Sequence, residues 1–204
     1  MIKPHGAEQL MPLYVADQQQ REALQAQAES MPSKIVSSAT ATNAVMLAGG
    51  YFTPLTGYMN VADAMSVADT LHTADGVFWP VPVMNLLSDA SGVVVGEQLA
   101  LRDPNVSGNP VLAVMTVNAI ETLSDDQINH IAEQVFGTLD GQHPGVAAFT
   151  GQGNIAVSGP IQVLNFSYFA TDFPDTFRTA VQIRDEMATL GWEKVVAFQT
   201  RNPM

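Results

Sequence analysis

Val81-Pro82-Val83-Met84-Asn85-Leu86-Leu87, Val93-Val94-Val95, Leu99-Ala100-Leu101-Arg102 and Val111-Leu112-Ala113-Val114-Met115-Thr116-Val117 are four apolar runs in close succession. Ser88–Gly92 and Asp103–Asn109 punctuate them with Ser, Asp, Gly, Asn and Pro, the residues that turns require. Short strands at this spacing predict a small barrel or sandwich. Strands are expected at Val83–Leu87, Val93–Val95, Leu99–Arg102 and Val111–Val117.

Downstream, Ser124-Asp125-Asp126-Gln127 has the form of a capping box and predicts a helix to about Phe136. Gly137–Val146 reads as a structured turn. Its Asp140 and His143 would suit an acid–base pair or a metal, but a metal site calls for three or more ligands at defined spacing. Ile155–Leu164 has the length and composition of a long strand that closes the barrel, broken at Gly159-Pro160. Upstream, Asp17 caps a helix expected over Gln18–Glu29, which Pro32 brings to an end. Lys34–Ser37 reads as a strand and Thr42–Ala48 as a short helix closed by Gly49-Gly50. Gly50–Met59 is a glycine- and proline-bearing loop whose rings are expected to anchor it to the core. Asn60, with Asp63 three residues on, caps a helix to about Leu71, where His72 complements the dipole. Asp75-Gly76 then turns the chain into Val77–Val83, a strand that Pro80 and Pro82 confine to an edge or bulge.

Asn165–Asp172 leads out of this first unit, and the domain boundary is placed near residue 167, giving domains 1–167 and 168–204. Pro174 suits the first turn of a helix, with Phe177, Val181, Met187 and Ala188 at helical spacing. Arg184 falls on that apolar stripe, where a charge needs a partner or a ligand. After Gly191, Trp192-Glu193-Lys194-Val195-Val196-Ala197-Phe198 predicts a short buried strand, followed at once by Gln199-Thr200-Arg201-Asn202-Pro203. In open α/β sheets ligands sit beyond the carboxyl ends of strands. An amide, a hydroxyl, a guanidinium and a second amide there make either an oxyanion site or a polar loop behind an edge strand.

The 204 residues carry a net charge of -12 and no cysteine, which excludes disulfides, thiolate metal sites and cysteine nucleophiles. The charge is unevenly spread. Lys3, Arg21, Lys34 and Arg102 are the basic residues before position 175, whereas Arg178, Arg184, Lys194 and Arg201 balance Asp175, Asp185, Glu186 and Glu193 after it. An acidic first domain lacks the footprint for nucleic acid, while an anion site remains open to the tail. No apolar run reaches the ~20 residues that span a bilayer, and the opening Met-Ile-Lys-Pro-His is not a signal peptide, so a cytoplasmic protein is expected.

Phe198-Gln199-Thr200-Arg201-Asn202-Pro203-Met204, preceded by Gly191-Trp192 and a helix bearing Arg184, resembles the Q-T-R-N signature of ATP sulfurylases (sulfate adenylyltransferases). Four further stretches share the likeness: Gly50–Met59, with Thr53 and Tyr58 in place of serine and phenylalanine; Asp75-Gly76 followed by Trp79-Pro80-Val81-Pro82-Val83; Phe136–Val146; and the tail helix, where Ala180 stands in place of a proline. The resemblance implies a PUA-like β-barrel domain with flanking helices, followed by the first helix and strand of a Rossmann-like α/β nucleotidyltransferase domain, truncated before the family's His-Arg-Ala-His segment. It implies the reaction ATP plus sulfate giving adenosine 5'-phosphosulfate and pyrophosphate, with this portion inactive alone. Gln199 and Arg201 would bind sulfate; Gln199, Thr200, Arg201 and Asn202 would contact the nucleotide; and Thr200, Arg201 and Asn202 would be catalytic. Mg2+ would travel on ATP with no protein-bound metal, and the full-length protein would be a homo-oligomer. The alternative is a stand-alone PUA-like binding or assembly domain without catalysis.

Overall fold

The computed structural model describes residues 2–198. Helix α1 (Gln18–Ala28) is capped by Asp17, whose Oδ1 accepts the Gln20 N–H at 2.7 Å. Strand β1 (Ser33–Ile35) follows, then α2 (Ser38–Ala48). The second helix begins four residues earlier than its composition suggests, because the Ser37 hydroxyl accepts the Thr40 N–H and nucleates the first turn. β2 (Gly57–Tyr58) lies inside the aromatic loop, and α3 (Val61–Thr70) starts at an Asn60 cap as expected. β3 is only Leu86–Leu87, β4 is Gln98–Arg102, β5 is Val111–Thr116 and β6 is Ala119–Thr122. α4 (Asp125–Phe136) opens on the full Ser124–Gln127 capping box and closes on Gly137 in the left-handed region. α5 (Pro144–Thr150), β7 (Ile155–Val163), the single turn α6 (Phe169–Asp172) and α7 (Ala180–Thr189) complete the chain.

The seven strands form one curled, open sheet in the order β1-β4-β5-β7-β2, with β3 and β6 also on β7. This half-barrel is mixed, with β1 parallel to β4 and the other ladders antiparallel; it carries helices on both faces and rests on β7. Along one side, β7 pairs antiparallel with β5 (Ala113 opposite Val163) and then with β6 (Ala119 opposite Ser158). Along the other it pairs with β2 and β3 and, at its end, bridges to Tyr14. Gly159-Pro160 does not interrupt the strand; it bends it. Gly159 has φ +150, and a Cβ there would lie 2.0 Å from the Thr116 carbonyl. A Cβ on Gly57, across the ladder, would lie 2.0 Å from the Gly159 carbonyl. Pro160 costs no ladder bond at the bend, and Ile161 resumes pairing by donating to the Thr56 carbonyl at 3.0 Å.

Three apolar clusters flank this sheet. The largest joins α2 to β4, β5 and β7 through Leu47, Leu99, Leu101, Leu112, Met115 and Val163, each 1 % exposed or less. A second packs α3 and α4 onto β3 and β7, and a third lays α1 on β4 and β5. Burying one leucine of this kind contributes roughly 1.5–3 kcal/mol. Tyr58 ties the layers by donating its hydroxyl to the Thr40 carbonyl at 2.8 Å, and complete burial raises its phenol far above its ordinary range. At the sheet edge, Lys34 reaches Asp89 at 2.5 Å, and this hydrogen bond, with that of Ser91, holds the carboxyl well below the usual range.

Four expectations are corrected. Val77–Val83 is not a strand: Phe78 makes an isolated bridge to His72, and prolines 80 and 82 leave too few donors for a ladder. Val93–Val95 forms no strand, since no neighbouring strand reaches it; Val93 packs half-buried against the main core while Val94 and Val95 are exposed. The tail helix starts at Ala180 rather than near Pro174, because Thr179 and Gln182 form a reciprocal capping box there. Val195–Phe198 forms no strand, and Val196 and Phe198 are 94 % and 77 % exposed; among the described residues no backbone lies alongside to pair with it.

Replacing Gly159 with Ala is expected to destabilise the fold by about 3 kcal/mol or more, through left-region strain and collision with a carbonyl. Gly92→Ala, at φ +77 with nothing within 4 Å, is the control and should cost about 1–2 kcal/mol. Urea unfolding measures both, and equal losses would contradict the crossing geometry.

Candidate functional site

The residues singled out in the sequence for chemistry, Gln199, Thr200, Arg201 and Asn202, lie outside the described residues. What the structure does define is the platform that leads to them. Asn165 donates Nδ2 to the Val111 carbonyl at 2.8 Å, and its Oδ1 accepts the Ser167 N–H, which turns the chain off the sheet. An aromatic clasp follows. Phe166 sits 4.6 Å from the Tyr14 ring and 5.3 Å from Phe177, and Arg21 lies 5.0 Å over Tyr14. Such ring contacts are worth about 0.5–1.5 kcal/mol each beyond burial. They bring residue 177 back against the first half of the chain.

The Gly49-Gly50-Tyr51 turn then docks the tail helix. Ala180 donates its N–H to the Gly49 carbonyl at 2.9 Å, and the Tyr51 hydroxyl donates to the Arg178 carbonyl at 2.8 Å. Sequence pattern groups Tyr51 with the rings that anchor its loop to the core. Instead its ring is 40 % exposed and its hydroxyl reaches the tail, while Phe52 and Tyr58 do the anchoring, Phe52 packing edge-on to Trp79 at 5.5 Å. Thr53 is buried and structural: its hydroxyl donates to the Gly50 carbonyl and accepts the Met11 N–H. Arg178, just ahead of α7, pairs with Glu186 on it at 2.8 Å, and Arg184 donates from Nη1 to the Ile2 carbonyl at 2.8 Å. The charge on the apolar stripe is thus accommodated by a backbone carbonyl from the start of the chain.

Between Ile2, Tyr51, the Ile183–Met187 face of α7 and Trp192 runs a groove of about 660 Å³, mostly apolar, with Arg184 and Glu193 at its polar rim. α7 ends at Gly191 in the left-handed region, and Trp192 folds back to donate its N–H to the Met187 carbonyl at 3.1 Å. Trp192, Glu193 and Val195, which follow the helix, line this groove.

The other candidate pair resolves differently. Asp140 Oδ1 accepts the Gln142 N–H, and the Asp140 carbonyl accepts the His143 N–H. His143 is the N-cap of α5, its Nδ1 accepting the Val146 N–H, with its ring 5.5 Å from Phe136. Both residues shape a turn, as expected, and also a helix start that the sequence reading lacks. Pro144 at the helix's first position is the signal for it. His72 bonds its own helix end through the Thr70 carbonyl, and His130 pairs with Asp69 at 2.5 Å, joining α4 to α3. No group of three or more His, Cys, Asp or Glu side chains converges to hold a metal among the described residues.

A PUA-like half-barrel with an appended helix defines the class, and comparison agrees: the PUA-like domain family matches residues 2–166, and the chain belongs to that family. Over all 204 residues it is 63% identical to a sulfate adenylyltransferase of Alcanivorax borkumensis and 59% identical to that of Allochromatium vinosum, in each case spanning 51% of the relative. It is 52% identical to the sulfate adenylyltransferase of a Riftia pachyptila sulfur-oxidizing endosymbiont, spanning 46% of it. The chain therefore spans about half the length of the curated relatives it matches. Among solved structures, a hexameric APS kinase from Thiobacillus denitrificans superposes on the whole chain with a TM-score of 0.74 and 26% identity, over 35% of that protein.

Tyr51→Phe removes one bond between the body and the tail helix. It is expected to lower the free energy for local opening of Ala180–Thr189 by about 0.5–1.5 kcal/mol while leaving β7 amides unchanged. Hydrogen exchange measures this, and unchanged exchange in the helix would show that Tyr51 does not hold it.

Proposed function

We propose that the chain is the amino-terminal portion of a sulfate adenylyltransferase, with residues 1–167 as its PUA-like domain and 168–204 as the beginning of a Rossmann-like nucleotidyltransferase domain. The observation that carries this reading is the unbroken match, at 63% identity, to a sulfate adenylyltransferase across all 204 residues. In the proposed reaction a sulfate oxygen attacks the α-phosphorus of ATP, a P–O bond forms to sulfate, and the bond to pyrophosphate breaks. Sulfate is a weak nucleophile, so the rate would come from positioning and charge stabilisation. Arg201 offers the planar fork suited to a tetrahedral oxyanion and Gln199 an amide N–H to a second oxygen. Thr200 and Asn202 would approach the α-phosphate and the nucleotide. Mg2+ would enter on the ATP phosphates, with no side-chain ligands from this chain.

A homo-oligomer of the full-length protein is supported by the hexameric state of the superposing APS kinase. A cytoplasmic location is compatible with the described helices, none of which is long and apolar enough to cross a membrane. The acidic balance before residue 175 disfavours nucleic acid as a partner of the PUA-like domain.

The 204-residue chain mixed with Mg-ATP and sulfate is expected to release no pyrophosphate. Joined as one polypeptide to the half of the Alcanivorax relative that it does not span, it is expected to form adenosine 5'-phosphosulfate. Arg201→Ala in that fused protein should lower kcat/KM for sulfate by about 100-fold or more. A fused protein that folds but is inactive, or activity indifferent to Arg201, would overturn the assignment.

A further inference from the structure

We propose that the Asp140-Gly141 bond is a site of spontaneous covalent modification, where aspartate converts through a cyclic succinimide to isoaspartate. The fold selects this bond over the other Asp-Gly pair of the chain, Asp75-Gly76. The proposal is independent of the reaction assigned above.

Glycine brings to this chemistry a backbone nitrogen with no side chain beside it to block an approach. The Gly141 nitrogen attacks Cγ of the Asp140 carboxyl, and the new C–N bond closes the succinimide ring. One carboxyl oxygen departs as water, taking the amide proton and the carboxyl proton. Water then adds back to the ring. Addition at Cγ restores aspartate. Addition at the main-chain carbonyl breaks the original peptide bond, routes the chain through Cβ and Cγ, and turns the old carbonyl carbon into a carboxylate. Water leaves and water returns, so no other reactant takes part.

Both pairs sit in exposed turns, yet the structure treats them in opposite ways. Asp75 is drawn backward: its Oδ1 accepts the hydroxyl of Thr73, a buried residue that also accepts the Val77 N–H at 3.0 Å. Gly76 is engaged as well, donating its N–H to the Thr73 carbonyl at 2.9 Å. The nucleophile and the electrophile of that pair are therefore both tied to Thr73. Asp140 is drawn forward. Its Oδ1 accepts the Gln142 N–H at 2.9 Å, which lays the carboxyl over the Gly141 peptide. Among the described residues the Gly141 N–H donates to no protein group, and a Cβ on Gly141 would meet nothing within 4 Å, so the turn has room to rotate into the ring.

The product would be felt at α5. The Asp140 carbonyl accepts the His143 N–H at 2.9 Å, and His143 caps that helix. In isoaspartate this carbonyl is no longer in the main chain, and the path to His143 is one carbon longer. α5 cannot slide to absorb the extra carbon, because a Cβ on Gly145 would already lie 2.6 Å from the Phe136 ring at the end of α4. The change is taken up at His143, and its cap on Val146 loosens.

The test ages the folded 204-residue chain in warm, mildly acidic buffer and compares it with fresh protein. Trypsin cuts after Lys34, Arg102 and Arg178, which places Asp75 in peptide 35–102 and Asp140 in peptide 103–178. A protein-isoaspartate methyltransferase with labelled S-adenosylmethionine then marks the new carboxylate in each peptide. Label gained by 103–178 is expected to exceed that gained by 35–102 by about fivefold or more, the factor that one hydrogen bond restraining Gly76 supplies. Gly141→Ala, which the open space at that position accommodates, should remove most of the excess. Ageing in urea, where neither turn persists, should bring the two peptides level. Equal label in the two peptides of the folded chain, an excess that survives Gly141→Ala, or an excess undiminished in urea would each overturn the proposal. Amide exchange at Val146 and Ala147 should quicken in the aged chain and stay unchanged in aged Gly141→Ala. Unchanged exchange in a chain that carries the label would remove the effect on α5.

Discussion

The carbonyl oxygens of Thr116 and Gly159 occupy the places where side chains of residues 159 and 57 would begin. That close crossing lets β7 bend without losing its neighbours. Up to Ser158 it pairs with β6 and, at its start, β3; Gly159 and Pro160 pair with β2, and Ile161–Val163 with β5, so one nine-residue strand serves four neighbours. Nearly every other packing relation follows from this. α2 covers one half of the bent strand, α3 and α4 cover the other, and α1 lies over β4 and β5.

The same bend decides where the chain leaves the sheet. Leu164 still bonds back to Leu112, and Asn165 to Val111, after which the aromatic clasp of Tyr14, Phe166 and Phe177 turns the backbone toward Gly49. α7 is therefore held to the body by a few specific contacts: two backbone-directed bonds, an aromatic stack and the Arg184 link to Ile2. It presents the Trp192–Phe198 segment outward, and this is the segment that runs into the signature residues in sequence.

Local chemistry is legible in the sequence and long-range pairing is not. Asp17, Asn60 and the Ser124–Gln127 box announce three helices, since a cap is a contact between residues three apart. β4 and β5 read within one residue of their ends, because their cores are continuous apolar runs. Val77–Val83 and Val93–Val95 have strand composition yet form none. Pairing depends on a neighbour far away in sequence, which composition does not encode. Gly159-Pro160 reads as a break for the same reason: the glycine is needed by Thr116, forty-three positions away. In the tail, Arg184 stands out correctly as a charge on an apolar stripe, but its partner is the Ile2 carbonyl, which no pattern in α7 identifies. The roles of Gln199, Thr200, Arg201 and Asn202 rest on resemblance, and their positions lie outside the described residues.

Native-state hydrogen exchange on the 204-residue chain tests the organising role of the bent strand most directly. Asn118, which donates to Ser158, and Ile161, which donates to Thr56, flank the crossing on its two sides. If β7 is one continuous strand on which the layers depend, both amides exchange only through global unfolding, with the same free energy and the same denaturant dependence. If Asn118 exchanges through a smaller opening while Ile161 stays protected, the two halves of β7 are separate units, and the bent strand does not organise the fold.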